Sequence, residues 1–257
     1  MKKLLTIFKE LFEYLLREIP SFFQPVVLEK KQYNGFKKNG YIILDKKLDS
    51  VICDKIISSF EKCISDNNTW VDDTKSDTRL FYAQKYIKEI DCILNNNLYN
   101  SISRKFYGKK INQKFSLMNK VVPTENNLGS GAGWHRDSPT SHQLKVLIYL
   151  SDVEKGNGQF QYIENSFKKF DIFKTVLRYK WTDKYRFSEN EISKYIKDFK
   201  TKIVDITGEK GTIVIVDTKG IHRGAPIEFG KRYAMFNYYY KDKIPDHFKK
   251  FQNLNAN

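Results

Sequence analysis

Cysteine is scarce in this chain of 257 residues. The three that occur are Cys53, Cys63 and Cys92, an odd number, and no two of them have the C-x-x-C spacing. A disulfide framework and a zinc site made of paired cysteines are therefore disfavoured. We interpret the three residues as reduced thiols, which are typical of a cytoplasmic protein.

Long apolar runs are lacking as well. No stretch approaches the roughly 20 apolar residues that a membrane-spanning helix needs, and Lys9, Glu10 and Glu13 interrupt the N-terminal run too early for a secretory signal. Residues 1–18 instead place apolar side chains at helical spacing, which predicts an amphipathic helix that ends at Pro20. Its apolar face either docks on the protein's own core or makes peripheral contact with a membrane surface.

Acidic residues are outnumbered by basic ones. The chain has 45 Lys and Arg against 30 Asp and Glu, so its formal net charge is +15. Such a charge attracts anionic partners. The lysines are spread along the whole chain, however, as expected for a solvated surface rather than a nucleic-acid groove. We therefore predict no specific nucleic-acid partner.

The pattern of apolar residues changes near residue 110. Before it, helical spacing predicts helices from Asp49 or Ser50 to about Ile64 and from Glu89 to Tyr107, with a short strand at Tyr41–Leu44. The segment 67–78 is polar and rich in turn residues. After residue 110, short apolar or aromatic runs bounded by turn residues predict strands, at Leu144–Leu150, Phe160–Ile163, Gly211–Asp217 and Arg232–Tyr240.

Many short strands in one half of a chain favour a barrel or a two-sheet jelly roll. We expect a single domain over residues 1–257, of the α+β or mainly β class. Residues 1–110 would form a mostly helical support, and residues 111–245 the jelly-roll core. Residues 167–200 are charged and aromatic, with helical spacing near Glu189–Phe199, and predict an insertion over one rim.

Histidine is also rare, with four in the chain. His135 and Asp137 are two positions apart, so on a strand their side chains point the same way. His222 follows a predicted strand, 87 positions after His135 (222 − 135). Two imidazoles and one carboxylate are the facial ligand set of non-haem Fe(II), which leaves three metal positions open. His142 and His247 are interpreted as surface histidines.

Arg232 lies on a predicted core strand beside apolar and aromatic residues, where a guanidinium needs an anionic partner. The partner is either a carboxylate of the protein or the far carboxylate of a bound keto acid, which an arginine can hold in bidentate geometry. Lys145 and Tyr149 share one face of their strand, with Leu147 between them. That face looks either into a pocket or into water.

Several ordered blocks between about Lys120 and Tyr240 resemble the phytanoyl-CoA dioxygenase-like family of Fe(II)/2-oxoglutarate oxygenases. They are Gly133-Trp134-His135-Arg136-Asp137-Ser138, KVLIYLSDV from Lys145 to Val153, Gly156-Asn157-Gly158 with Phe160 to Ile163, Gly211 to Asp217, and Ile221-His222-Arg223-Gly224-Ala225-Pro226 with Gly230-Lys231-Arg232. One departure is Asn165-Ser166-Phe167, where the family often has Gly-Ser-His. The departure concerns the substrate rim rather than the metal.

The resemblance implies a double-stranded β-helix, a cupin-like jelly roll, flanked by N-terminal helices. It implies Fe(II) bound by His135, Asp137 and His222, 2-oxoglutarate held by Arg232, and dioxygen as the second cosubstrate. Lys145 and Tyr149 are further candidates for cosubstrate binding. The expected activity is hydroxylation of an unactivated C–H in a small molecule, a glycan or a lipid-linked glycan. Trp134, Arg136 and residues 167–200 are candidates for the substrate rim. Arg136 points opposite to the two ligands on a regular strand, so its role is either at the rim or purely structural.

Two other functions remain open at this point. A non-catalytic jelly-roll module could bind a sugar or an anion with the same fold, although the intact ligand set argues against it. A nucleic-acid-modifying oxygenase is suggested by the charge, and it would need a basic groove with aromatic residues that stack on bases.

Overall fold

The protein is described from a computed structural model that covers residues 5, 8, 12, 16, 19–66, 69–138, 143–181 and 184–252. From residue 30 onward the α-helices of the described residues are α1 (Lys30–Asn39), α2 (Ser50–Ser65), α3 (Lys88–Leu94), α4 (Asn97–Tyr107), α5 (Lys169–Tyr179), α6 (Glu189–Phe199) and α7 (Asp246–Lys249). The strands are β1 (Tyr41–Ile43), β2 (Trp70–Val71), β3 (Asp77–Phe81), β4 (Gln113–Val121), β5 (Leu144–Tyr149), β6 (Phe160–Ile163), β7 (Ile203–Ile206), β8 (Ile213–Asp217), β9 (His222–Gly224) and β10 (Arg232–Tyr240).

The strands form two antiparallel sheets. The large sheet has the order β1-β8-β5-β10-β4-β3-β2, and the small sheet has the order β7-β6-β9. A core cluster joins them, with Leu147, Val214 and Ala234 from the large sheet packed against Phe160 and Ile206 from the small one. Two antiparallel sheets around a shared core confirm the predicted jelly roll.

The other face of the large sheet packs on helices. Val146 and Ile148 of β5 and Met235 of β10 lie in one cluster with Ile56 of α2 and Ile90 of α3. Alternate residues of each central strand therefore enter two different cores, as the period of two along a strand requires. Because both faces are buried, β5 and β8 have near-continuous apolar sequences.

Of the helices predicted between residues 49 and 107, the first is confirmed and the second is corrected. The carboxylate of Asp49 accepts hydrogen bonds from the backbone N–H groups of Val51 and Ile52, at 2.8 and 3.2 Å, and α2 begins where predicted. The single helix predicted from Glu89 to Tyr107 is wrong. Asn96 caps a new helix by accepting from the N–H of Leu98 at 2.8 Å, because a short amide side chain competes for backbone donors.

Three other differences concern the first 110 residues and the insertion. The turn-rich segment 67–78 contains β2 and the start of β3, because β3 pairs with β4 and extends the sheet. Most of the helix predicted for residues 1–18 lies outside the described residues, but residues 19–22 are helical, so the helix at this point continues past Pro20. A proline removes only one helical N–H when its fixed φ fits. The insertion contains α6 as predicted, where Ser188 and Glu191 form a capping box. It also contains α5, which was not predicted from the sequence.

The described helices are all too short or too polar to cross a bilayer.

Candidate metal and cosubstrate site

His135 and Asp137 are held by main-chain hydrogen bonds to remote segments. His135 and His222 exchange two backbone hydrogen bonds, at 2.9 and 2.8 Å, and the N–H of Asp137 donates to the carbonyl of Thr218 at 3.0 Å. His135 forms isolated bridges with Arg186 on one side and His222 on the other, instead of lying in a regular strand. The pairing brings residues 87 positions apart to the same point.

The three side chains converge. One ligand atom from each of His135, Asp137 and His222 lies within 4.8 Å of the others, and the two imidazole centroids are 4.3 Å apart. The imidazole of His135 also packs closely against the backbone of the loop that precedes it. Gly131 has φ +90°, and a Cβ there would lie 2.4 Å from the imidazole of His135. A glycine at this position therefore leaves room for the ring.

Each imidazole is held in the tautomer that a metal needs. Nδ1 of His135 lies 2.9 Å from the carbonyl of Gly133, and Nδ1 of His222 lies 2.8 Å from the carbonyl of Gly220. A carbonyl only accepts, so each Nδ1 carries the proton and donates it. The lone pair of each Nε2 is then available to a cation.

The charge state of the cluster follows from burial and its neighbours. Burial lowers the pKa of His135 to about 4, and burial together with His135 lowers the pKa of His222 well below its usual value. Burial alone would raise the pKa of Asp137, but Lys145 and the two imidazoles hold it below its usual range. At neutral pH the cluster is two neutral imidazoles and one carboxylate.

Lys145 and Tyr149 have different surroundings although they share a face of β5. Nζ of Lys145 lies 2.7 Å from the carboxylate of Asp137 and 4.4 Å from the centroid of the Tyr238 ring. The hydroxyl of Tyr149 donates to the carbonyl of Ile206 at 2.6 Å and accepts from the N–H of Phe160 at 2.9 Å. Lys145 therefore faces the cavity described below, whereas Tyr149 ties the two sheets together and does not line that cavity.

Arg232 is buried, with 1% of its surface exposed. Nη1 donates to the carbonyl of Gly158 at 2.7 Å, and Nη2 donates to Oδ1 of Asn119 at 3.3 Å. Its Nε is buried without a hydrogen-bond partner, and within the described residues no ion pair to a protein carboxylate involves it. Burial lowers the pKa of Arg232, as expected for a cation that lacks an adjacent anion.

A polar network behind Arg232 was not anticipated from the sequence. Asn119 donates to Asp77 at 3.0 Å and to the hydroxyl of Ser130 at 2.9 Å. Asp77 forms an ion pair with Arg79 at 2.5 Å, which compensates the charge of Asp77. Asn119 therefore links Arg232 to a carboxylate that already has a cationic partner. Asp77 and Arg79 are two positions apart on β3, so their side chains lie on the same face of the strand. This spacing is the sequence signal that could have predicted their ion pair.

The metal-ligand candidates lie at one cavity of about 240 Å³ between the sheets. The three converging residues, Lys145 and Arg232 form its polar wall. Apolar and aromatic residues form the rest, among them Leu147, Phe160, Val216, Phe236, Tyr238 and Phe248. Arg79, Arg186 and His247 also reach it.

The structure places Trp134 and Arg136 away from the cavity, in line with the structural alternative for Arg136. Arg136 is buried, 5.4 Å from the ring of Phe187, and Trp134 is buried below the guanidinium of Arg223. Neither lines the cavity, so both belong to the packing of the insertion. His247 is exposed, as predicted, but it also lies at the cavity. His142 is outside the described residues.

The sequence model of the family described as phytanoyl-CoA dioxygenase (PhyH) matches residues 36–228. The chain belongs to this family. The match spans the ligand cluster and much of the helical support, and ends before Arg232. No curated protein sequence matches the chain.

Solved structures with the same fold include three enzymes or complexes of low sequence identity. The epimerase SnoN in complex with Fe3+, alpha ketoglutarate and nogalamycin RO is 12% identical, with a TM-score of 0.64 over 88% of this chain and 90% of that chain. HygX from Streptomyces hygroscopicus with nickel and 2-oxoglutarate bound is 15% identical, with a TM-score of 0.57 over 83% and 87%. EctD from S. alaskensis with bound Fe is 16% identical, with a TM-score of 0.60 over 84% and 79%. These similarities show the shared fold.

Proposed function

We propose that the protein is an Fe(II)- and 2-oxoglutarate-dependent oxygenase that hydroxylates a C–H bond of its substrate. The observation that carries the proposal is the convergence of His135, Asp137 and His222 within 4.8 Å, in the same cavity as a buried arginine that has no carboxylate partner among the described residues. The oxygenase domain would be the jelly roll of residues 111–245, supported by the preceding 110 residues.

The donor set fits ferrous iron. Two neutral imidazole nitrogens and one carboxylate oxygen are the protein ligands of non-haem iron oxygenases, and they leave the remaining positions to cosubstrates. His135 and His222 point their unprotonated Nε2 atoms away from the backbone carbonyls that fix their Nδ1 protons. Lys145 donates to the carboxylate of Asp137 and orients it, which is the role of residues that support metal ligands.

The surroundings of Arg232 fit the far carboxylate of 2-oxoglutarate. Gly158 and Asn119 accept from its two terminal nitrogens and fix the plane of the guanidinium. Among the described residues, Nε of Arg232 has no hydrogen-bond acceptor. A bound carboxylate would satisfy that donor and compensate the buried charge.

Bound iron and 2-oxoglutarate supply the activation of dioxygen and the oxidising power for C–H cleavage. The contribution of the chain is to bind and orient. Leu147, Phe160 and Val216 exclude water from the wall of the cavity, which strengthens each electrostatic contact inside it. Tyr149 holds β5 against the small sheet, so that Lys145 stays beside Asp137.

The size of the cavity limits the substrate. About 240 Å³ is less than pockets that enclose a drug-sized ligand, which are about 300–1,000 Å³. Only the reacting part of a substrate would enter, and the rest would lie at the mouth near Arg186 and His247. HygX is a fold relative with a structure that contains hygromycin B. We favour a small molecule, a glycan or a lipid-linked glycan in the cytoplasm.

The test is formation of succinate from 2-oxoglutarate by the purified protein, with Fe(II), oxygen and panels of glycans and small metabolites. Wild-type protein should turn over, and Asp137→Ala should not. Asp73→Ala removes an exposed aspartate from a turn and serves as the matched control. Normal turnover by Asp137→Ala, or wild-type protein that does not bind Fe(II) stoichiometrically, would refute the proposal.

The same experiment separates the two other functions. A non-catalytic binding module would bind a sugar without iron and form no succinate. A nucleic-acid-modifying oxygenase would form succinate only with single-stranded nucleic acid, and its binding would weaken as salt rises. Tyr238 and Tyr240, two aromatics of the cavity, both stack on Phe115, which argues against their use as a platform for bases.

A further inference from the structure

A second cavity of about 480 Å³ lies where the N-terminal segment crosses the support helices. Segment 21–28 forms one wall, α1 and α4 form others, and the start of α5 closes one end. We call it the N-terminal groove. Its apolar walls include Val26, Val27, Leu28, Phe36, Phe106 and Phe167.

Large apolar side chains at the edge of the groove are exposed. Phe22 is 81% exposed and Phe23 is 76% exposed, and their rings contact each other at 5.6 Å. Ile19, Val26 and Val27 are also exposed, at 56%, 45% and 40%. Contiguous apolar surface of this kind marks an interaction site.

Further exposed apolar residues lie at the described positions before residue 19. Leu5, Phe8, Phe12 and Leu16 are helical and 47–69% exposed, and their spacing of three or four residues places them on one side of a helix. The ring of Phe8 contacts Phe173 of α5 at 5.5 Å. The described apolar residues of this segment therefore remain largely exposed instead of docking on the core.

Lysines surround the groove. Lys37 and Lys168 are exposed at its edge. Within the described residues neither forms an ion pair with a carboxylate, although Lys168 is close enough to Asp171 to oppose the rise that burial causes in the pKa of that carboxyl. Lys105 uses its ammonium to bind three backbone carbonyls, of Ser21, Phe22 and Gln24, at 2.9, 3.3 and 2.6 Å. This contact fastens the exposed segment to α4.

The described lining of the groove contains more basic than acidic residues. Asp217 is the acidic residue of the groove lining, and it is buried and paired with Lys219 at 3.0 Å. The pKa of Lys105 is lowered by burial and by Lys37, which is consistent with a locally positive potential. Exposed phenylalanines beside unpaired lysines complement an anionic lipid surface, where apolar groups enter the acyl boundary and ammonium groups reach the phosphates.

We propose that the N-terminal groove, with Phe22 and Phe23, docks the protein peripherally on an anionic phospholipid bilayer. A second copy of the chain fits this face less well. In a two-fold dimer the same patch meets itself, so Lys37 and Lys168 would face like charges. The proposal does not depend on the reaction at the metal site.

The test is cosedimentation of the full chain with vesicles of phosphatidylcholine alone and of phosphatidylcholine with phosphatidylglycerol. Binding should require phosphatidylglycerol and should weaken as ionic strength rises. Lys37→Gln combined with Lys168→Gln should weaken binding about 25-fold, from roughly fivefold for each lysine. Phe22→Ser combined with Phe23→Ser should weaken it by about tenfold or more, because apolar area no longer leaves water.

Matched variants on other surfaces provide the controls. Lys55→Gln combined with Lys88→Gln removes two exposed lysines of α2 and α3, and Leu128→Ser removes an exposed apolar side chain. Both should bind vesicles like wild type, and all variants should keep the wild-type thermal midpoint. Equal binding to both vesicle types, no binding, or equal losses in the control variants would overturn the proposal. So would a wild-type dimer in light scattering that Phe22→Ser with Phe23→Ser dissociates while vesicle binding is absent.

Discussion

The two faces of the large sheet share strands and hydrogen bonds but have different side chains. On the helix side, Val146, Ile148 and Met235 make an apolar core with the support helices. On the side of the small sheet, the same strands place Lys145 and Arg232 in a cavity beside the ligand cluster. A buried charge without a partner is costly, and buried apolar area is stabilising. The comparison indicates that one face stabilises the sheet and the other uses that rigidity to hold charged groups in place.

The largest expected effect is on the cavity face. His222→Ala removes one of the three converging groups and should lower succinate formation by at least about 1,000-fold, because iron loses a ligand. The thermal midpoint of the metal-free protein should change little. Initial rates and thermal scans measure both quantities. If His222→Ala forms succinate at the wild-type rate, the cavity face of the sheet has no catalytic role, and the two faces do not differ in function.

The matched change on the helix face should affect stability instead. Ile148 is fully buried in the core with the helices. Ile148→Ala should lower the free energy of unfolding by about 2–5 kcal/mol, since it removes apolar contacts and leaves a cavity. Urea unfolding measures the loss. The KM for 2-oxoglutarate should stay within about twofold of wild type, and a large increase would show that the two faces are not independent.

The metal-free protein should lose stability as the pH falls below about 6.5. Burial depresses the pKa of His135 to about 4, so between these pH values the unfolded chain takes up a proton that the folded chain does not. From His135 alone the loss is about 3 kcal/mol between pH 7 and pH 4. His222 contributes in the same direction.

Urea unfolding of the metal-free protein at pH 7, 6 and 5 measures this loss. The variant with alanine in place of both histidines should show a shallower pH dependence. An equally steep dependence in that variant would assign the effect to other groups.

Arg232→Lys tests whether the planar set of guanidinium N–H donors binds 2-oxoglutarate, because lysine keeps the charge and loses the planar geometry. The KM for 2-oxoglutarate should rise by about 10–100-fold, as expected for lost charge-assisted hydrogen bonds. The kcat with saturating 2-oxoglutarate should fall much less. An unchanged KM would remove Arg232 from the cosubstrate site and leave it a structural group between Gly158 and Asn119.

The smallest expected effect is at Tyr149, which shares a face of β5 with Lys145 but should affect stability rather than cosubstrate binding. Tyr149→Phe removes a hydroxyl that joins Ile206 to Phe160. The change should lower the free energy of unfolding by about 1–3 kcal/mol, because the carbonyl of Ile206 and the N–H of Phe160 are left buried without this partner. The KM for 2-oxoglutarate should be unchanged. Lys145→Met, by contrast, should weaken iron binding, since Asp137 loses its supporting cation.

Several elements were predictable because their causes are local. The boundaries of α6 follow from apolar spacing and the Ser188 cap, and the strands β5, β8 and β10 follow from short apolar runs. The equal spacing of Lys145 and Tyr149 also put them correctly on one face. Which of the two meets the cavity depends on where the small sheet crosses β5, and no local pattern contains that information.

The network behind Arg232 was missed for a similar reason. Asp77 and Arg79 reach the site only because β3 pairs with β4, across more than 30 residues of sequence. The first 110 residues carried no recognisable motif, yet they supply β1 and β3 to the large sheet. Pairing between distant strands is decided by the whole core and not by the residues of either strand.

The sequence by itself determined the identity of the three convergent residues and the two-sheet class of the fold. The first two ligands follow from a histidine and an aspartate two apart, and the fold class follows from apolar runs broken by turn residues. His222 lies 87 positions after His135, and its assignment as the third ligand came from the resemblance of its block, Ile221 to Pro226, to one family. Tertiary structure alone decided that Arg232 has no carboxylate partner within the described residues, that Lys145 meets Asp137, and that phenylalanines near the N-terminus stay exposed beside lysines. Those outcomes depend on which distant surfaces come into contact, because burial and charge compensation exist only after the chain has packed.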